Sequence, residues 1–353
     1  MKTAGQKNII LFIIVVIFAV AAFGAMLYQG LRPFFISAKF SWLAWPTSAP
    51  KTSGKARLLD GVYLAQGESE KYPVAVVMDN KYEARPWSGL SSAGVVFEAP
   101  VEGGITRFLA IYSTPKEIKK IGPVRSIRSY FVDWAVGFSA VTAHVGGSPT
   151  AMSAIYGDDG ASKLDLDEYY NSHYFWRSSD RIAPHNLYTS SGMLDKARIA
   201  KSVQKDMNFS PWKFKNDAFV SERGGAREIN IDLSLYSDYD AIWEYDKDKN
   251  LYKRKFKSGY AQDDNNALIL AKNIAVLETD IWIIDALSRR KIITVGNGNA
   301  VIFQDGRKIE GSWEKKSQST MLRFYNASGK EIEFNRGTTW IEAVASLSAV
   351  AER

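Results

Sequence analysis

Ala140-Val141-Thr142-Ala143-His144-Val145-Gly146-Gly147-Ser148-Pro149 reads as one complete step of an α/β architecture. Apolar residues suited to a strand run up to His144, two glycines break the run, and Ser148 stands where a helix cap belongs. Pro149 then fits the first helical position, where a missing N–H costs nothing. A strand that opens through a glycine turn into a helix start aims backbone N–H groups at an anion. Upstream, Tyr72-Pro73-Val74-Ala75-Val76-Val77-Met78 is a buried-strand run that stops at the polar pair Asp79-Asn80. Residues 94–98 and 105–112 read as further strands. Ile127, Phe131, Trp134, Ala135 and Phe138 recur at helical spacing, with Ser126 as the expected cap. Residues 190–203 are another helix candidate.

After Pro211 the pattern changes to short strands separated by turn pairs such as Asp305-Gly306, Ser328-Gly329 and Arg336-Gly337. Trp243, Trp282, Trp313 and Trp340 alternate with that pattern as core residues would. Gly296-Asn297-Gly298-Asn299-Ala300 is not a dinucleotide fingerprint, because Val301-Ile302-Phe303 continues as a strand and no helix follows. The expected fold class is α+β, with an N-terminal transmembrane helix, a mixed α/β domain and then a mainly antiparallel β domain. The expected divisions are a cytoplasmic tail at 1–8, an anchor at 9–31, a linker at 32–57, the α/β domain at 58–210 and the β domain at 211–353. The boundary between the last two falls within 205–226.

The anchor expectation rests on the absence of charge between Lys7 and Arg32 and on an apolar core over residues 9–27. That length matches the ~20 residues needed to span a bilayer. A cleaved signal peptide competes, since Ala19, Ala21, Ala22, Gly24 and Ala25 are small enough for a signal peptidase, but its apolar region would be unusually long. Lys2 and Lys7 place the N-terminus inside the cell and the folded residues outside, in a single-pass protein of the cytoplasmic membrane. The 353-residue chain has no cysteine, which removes disulfides, thiolate catalysis and any Cys-based metal centre. Its 45 basic residues interleave with 38 acidic ones for a net charge of +7, without the clustered basic motif that nucleic-acid binding requires. No nucleic-acid partner and no cofactor are expected.

Chemistry-bearing residues concentrate between Glu102 and His185. Glu102, Gly103, Gly104 and Arg107 come first, then Arg125, then His144, Gly146, Gly147 and Ser148, and finally His185 and Asn186. Glycines permit close backbone approach, arginines suit carboxylate or phosphate, and imidazoles bind or carry protons. Together they are expected to line a ligand site. Arg107 and Arg125 could instead be locked in the core by Glu102 and Asp133. Gly146-Gly147-Ser148-Pro149-Thr150 is close to a nucleophile elbow, with Thr150 in place of its last glycine. His144, His173 and His185 lack the spacing of metal ligands, so no metal site is expected.

Pro73-Val74-Ala75-Val76-Val77-Met78, Ala84-Arg85-Pro86-Trp87-Ser88-Gly89-Leu90, Glu102-Gly103-Gly104-Ile105-Thr106-Arg107-Phe108, Ile121-Gly122-Pro123-Val124-Arg125-Ser126, His144-Val145-Gly146-Gly147-Ser148-Pro149 and Ala183-Pro184-His185-Asn186-Leu187-Tyr188 closely resemble the YerB-like family of bacterial envelope proteins. The likeness covers about residues 58–350. It implies a two-domain protein on the outer face of the cytoplasmic membrane and supplies little chemistry. Many relatives look like lipoproteins with an N-terminal Cys, which this chain lacks, so the apolar helix would replace the lipid. The expected function is a membrane-anchored extracytoplasmic binding or accessory protein that recognises an anionic ligand or partner. Cell-wall polymers and wall-synthesis proteins are the partners expected from location. An envelope hydrolase or transferase using Ser148 or Glu102 with His144 or His185 is the alternative.

Overall fold

Alternation along the strands is what organises the molecule. In the computed structural model, residues 54–157, 161–203, 209–225 and 228–353 are described. The expected tail and anchor, and the linker up to residue 53, lie outside them. Among the described residues no helix is long and apolar enough to cross a membrane.

The principal sheet has ten strands: β1 (Val74–Asp79), β2 (Val95–Pro100), β3 (Thr106–Tyr112), β4 (Val141–His144), β5 (Asp165–Asp167), β6 (Asn273–Glu278), β7 (Gly296–Gln304), β8 (Arg307–Lys315), β9 (Arg323–Asn326) and β10 (Thr339–Val344). Their order is β9-β8-β7-β6-β10-β2-β3-β1-β4-β5. Strands β1, β4 and β5 are mutually parallel, and β10 runs parallel to both β2 and β6. The remaining neighbours are antiparallel. Strands from both sides of residue 211 therefore pair within one sheet, through β10, and residues 54–353 form one compact unit.

Both faces of this sheet are covered, which is why β1, β2, β3 and β10 are buried along their whole length. Ala75, Val77, Phe97, Leu109 and Ile341 face helix α1 (Ser129–Gly137) and helix α2 (Pro149–Tyr156). Val76, Met78, Val96, Phe108 and Trp340 face the opposite way. A six-stranded sheet containing Ala241–Asp246 and Leu251–Phe256 covers that side, together with helix α3 (Ser191–Ala200).

A buried charge cluster lies at the second interface. Arg254, fully buried, donates from Nη1 to Glu98 Oε2 at 2.6 Å and from Nη2 to Glu98 Oε1 at 3.1 Å. Its Nη1 also lies 3.4 Å from Glu342 Oε1, and its guanidinium sits 5.0 Å from the Trp340 ring and 5.4 Å from that of Trp243. Glu98 and Glu342 are register partners on β2 and β10. Burial, then the neighbouring Glu98 carboxylate, push the Glu342 carboxyl well above its ordinary value.

Two local expectations are corrected. Ser126 does not cap α1, because the helix starts only at Ser129 and its cap position is Arg128, which makes no side-chain cap bond; the Ser126 carbonyl instead accepts from Arg107 and Arg128. Trp243, Trp313 and Trp340 are core, but Trp282 is 42% exposed, on a separate two-stranded hairpin that leaves the main sheet after β6.

Candidate functional site

The motif-bearing loops meet at the C-terminal ends of β1 and β4, held by backbone hydrogen bonds. Residues 121–128 thread between them. Arg125 N donates to Val77 O at 2.8 Å, Asp79 N to Pro123 O at 2.9 Å, and Val124 N to Leu187 O at 2.7 Å. On the other side Val145 N donates to Arg125 O at 3.2 Å and Ile127 N to Gly146 O at 3.0 Å. Gly146 has φ of 58°, the left-handed region that lets the chain turn after β4. Pro86, Pro123 and Pro184 each follow a cis peptide bond.

Asp79 is the centre of this knot. It is fully buried, and its Oδ2 accepts from His185 Nδ1 at 2.7 Å, while Oδ1 accepts from Lys81 N at 3.0 Å. Arg125 Nε lies 2.9 Å from the same Oδ2, close enough for charge pairing but out of line for a hydrogen bond. Arg107, the register partner of Asp79 on β3, is 3% exposed. Its Nη1 donates to Ser126 O at 2.7 Å and its Nε has no partner. Burial, helped by the nearby Arg128 charge, pushes the Arg107 guanidinium down to about 10, still protonated at neutral pH. Glu102 pairs with Arg128 rather than Arg107, through two bonds of 2.6 Å. Burial raises its carboxyl, but the Arg128 fork outweighs that and holds it below the ordinary range.

Three guanidinium groups thus face two carboxylates, before His185 is counted. The core-locking pairs expected for Arg107 and Arg125 do not form. Asp133 instead accepts from Thr294 Oγ1 and from Gln318 Nε2.

The remaining expected site residues separate from this cluster. His144 is fully buried, with Nε2 2.6 Å from Asp165 Oδ1 and Nδ1 2.9 Å from Gly146 O. Both nitrogens are occupied. Ser148 caps α2, its Oγ accepting from Ala151 N at 3.2 Å and contacting Thr150 Oγ1 at 3.1 Å. Among the described residues no hydrogen bond joins Ser148 to His144 or His185, so the nucleophile arrangement is not assembled. A side chain at Gly147 would meet Met152 Sδ at 2.7 Å, which gives that glycine a packing role. Gly103 and Gly104 turn the chain before β3 with φ of 71° and 69°, and Gly104 O accepts from Ser234 Oγ. Asn186 Oδ1 faces outward and takes a bond from Arg177 Nη1 at 3.2 Å. Asp79 and Arg128 matter more to the geometry than their sequence setting suggests. The available signal was a carboxylate ending a buried strand. Among the described residues no group of His, Asp and Glu is arranged to hold a metal ion.

Comparison with known proteins agrees with this architecture. Residues 59–207 match the N-terminal domain of DUF3048, described as a protein of unknown function, and residues 230–341 match its C-terminal domain. The chain is 33% identical over 310 residues to "Putative lipoprotein YerB" of Bacillus subtilis (strain 168), covering 86% of this chain and 91% of the relative. The crystal structure of YerB protein from Bacillus subtilis superposes with a TM-score of 0.74 at 31% identity, covering 85% of this chain and 99% of that one.

Proposed function

Because the chain belongs to the YerB-like DUF3048 family, we propose that it is an extracytoplasmic binding or accessory protein attached to the bacterial membrane. Its Arg107, Arg125, Arg128 and His185 cluster takes an anionic group of a ligand or partner. The lipoprotein description of the relative supports attachment to an envelope membrane. In this chain the apolar run at residues 9–27 would serve that purpose in place of a lipid. Cell-wall polymers and wall-synthesis proteins are the partners that such a location offers.

The observation that carries the ligand reading is Arg107. A guanidinium that is 3% exposed, with one backbone bond and an unpartnered Nε, has donor capacity its own fold does not use. Arg125, with 23% of its side chain exposed, gives the cluster its contact with solvent. An arriving oxyanion would balance the surplus charge around Asp79 and Glu102.

The test is titration with inorganic phosphate and with glycerol phosphate, followed by thermal shift and by NMR of arginine side chains. Arg125→Ala is expected to abolish the shift at low salt, while Arg177→Ala leaves it intact. Equal responses from the two variants would remove the cluster from any binding role. A hydrolase built on Ser148 is not favoured, because that hydroxyl is committed to the helix cap.

A further inference from the structure

Tyr82, Arg85, Pro86 and Trp87 are not part of the cation cluster, yet they form one wall of a cleft of about 430 Å³. The facing wall comes from residues 237–242 and 256–262, beside and within the six-stranded sheet. The volume lies within the ~300–1,000 Å³ of small-ligand sites. We propose that this cleft binds an uncharged saccharide chain, a second site independent of the anion cluster.

The walls supply what a sugar ring needs. Tyr82, 72% exposed, and Tyr260, 43% exposed, offer aromatic faces, and Phe256 and Trp87 lie deeper. Such faces pack against the C–H side of a pyranose and leave its hydroxyls to polar groups. The polar lining balances in charge. Arg85 and Lys257 stand against Asp238 and Asp240, so neither a polyanion nor a polycation gains a net field. A neutral molecule with many donors and acceptors does best there.

Arg85 is fixed before any ligand arrives. Its Nε donates to Asn80 Oδ1 at 3.1 Å and its Nη2 to Asp238 O at 2.9 Å. The guanidinium lies 4.4 Å from the Phe256 ring and 5.0 Å from Tyr239. Its Nη1 makes no hydrogen bond among the described residues and is free to donate to a hydroxyl or amide oxygen. Burial, then the Arg254 charge, push this guanidinium down to about 10, which leaves it protonated at neutral pH. The motif is braced from behind, since Arg181 Nη2 donates to Pro86 O at 2.5 Å and Trp87 Nε1 to Asp79 O at 2.9 Å. A donor braced in this way loses little entropy on binding.

The experiment titrates chitotetraose and maltotetraose into the full-length chain in detergent, read by calorimetry and by tryptophan fluorescence. Saturable binding of at least one is expected, weakened about tenfold by Tyr82→Ala and again by Tyr260→Ala. Both rings are exposed enough to be removed without loss of folding, which circular dichroism checks. Arg125→Ala should leave the sugar affinity unchanged. No saturable binding of either sugar, or binding indifferent to both tyrosine substitutions, overturns the proposal. So does binding lost in Arg125→Ala alone, which would move the sugar to the cation cluster. Tetralysine that binds the cleft more tightly than the sugars would show a site for cationic peptide instead.

Discussion

Replacing Arg254 with methionine removes the one cation between two buried carboxyl groups, and the structure sets the size of the effect. Arg254, Glu98 and Glu342 are all fully buried. Glu98 loses two charge-assisted bonds, of 2.6 and 3.1 Å, and keeps Thr106 Oγ1 at 2.6 Å and Asn80 Nδ2 at 3.3 Å as donors. Two neutral donors do not replace a guanidinium in a fully buried site. Breaking a buried pair by deleting one partner costs about 3–5 kcal/mol, against a total stability of about 5–15 kcal/mol for a typical domain. Methionine fills much of the volume between Trp243 and Trp340, so little of the loss comes from a cavity. The assay is urea unfolding of the chain from Gly54 onward, the compact unit, followed by tryptophan fluorescence. The double variant Arg254→Met with Glu98→Gln should recover more than half of the loss, because the stranded charge goes with its partner. A single-variant loss under about 1 kcal/mol would refute the idea that this pair is a buried, uncompensated-charge hazard.

Three further outcomes are expected. The folded Glu342 carboxyl titrates above its unfolded value of 4.5, so its stabilising contribution is complete below that pH and is lost as pH rises through the folded value. Glu342→Gln should remove that part of the alkaline decline in the urea midpoint, and an unchanged pH profile would count against the assignment. Ser148→Ala should cost about 1 kcal/mol through loss of the α2 cap and leave phosphate affinity unchanged, whereas loss of binding with intact stability would restore Ser148 to a functional role. Gly104→Ala places a Cβ 2.8 Å from Tyr236 Cε2 at φ of 69°. A thermal scan should show about 1–2 kcal/mol of destabilisation, and a neutral result would mean that this turn relaxes freely.

The sequence exposed much of what depends on near neighbours, though not the start of α1. The Ser148 cap, the Pro149 helix start and a buried strand within residues 72–78 follow from patterns a few residues long, and each is present, the strand running over Val74–Asp79. Pairing across long separations leaves no such pattern. His185 meets Asp79 across 106 residues and Arg254 meets Glu98 across 156, so neither partner could be assigned from spacing. The same limit misplaced the arginines. Glu102 and Arg107 are close in sequence, but the 3₁₀ turn at Glu102–Gly104 aims the carboxylate at Arg128, while the strand carries Arg107 to the side of Asp79. Glycines are frequent in these loops where backbones and side chains pack closely, as at Gly147 against Ile127 and Met152, and packing alone suffices to require them. What packing does not require is the unused donor of Arg107, which on β3 lies opposite Asp79 beside the C-terminal ends of the parallel strands β1 and β4, the place where open α/β sheets present their loops. That residue, rather than the glycines around it, is where the proposed binding role and a purely structural knot differ.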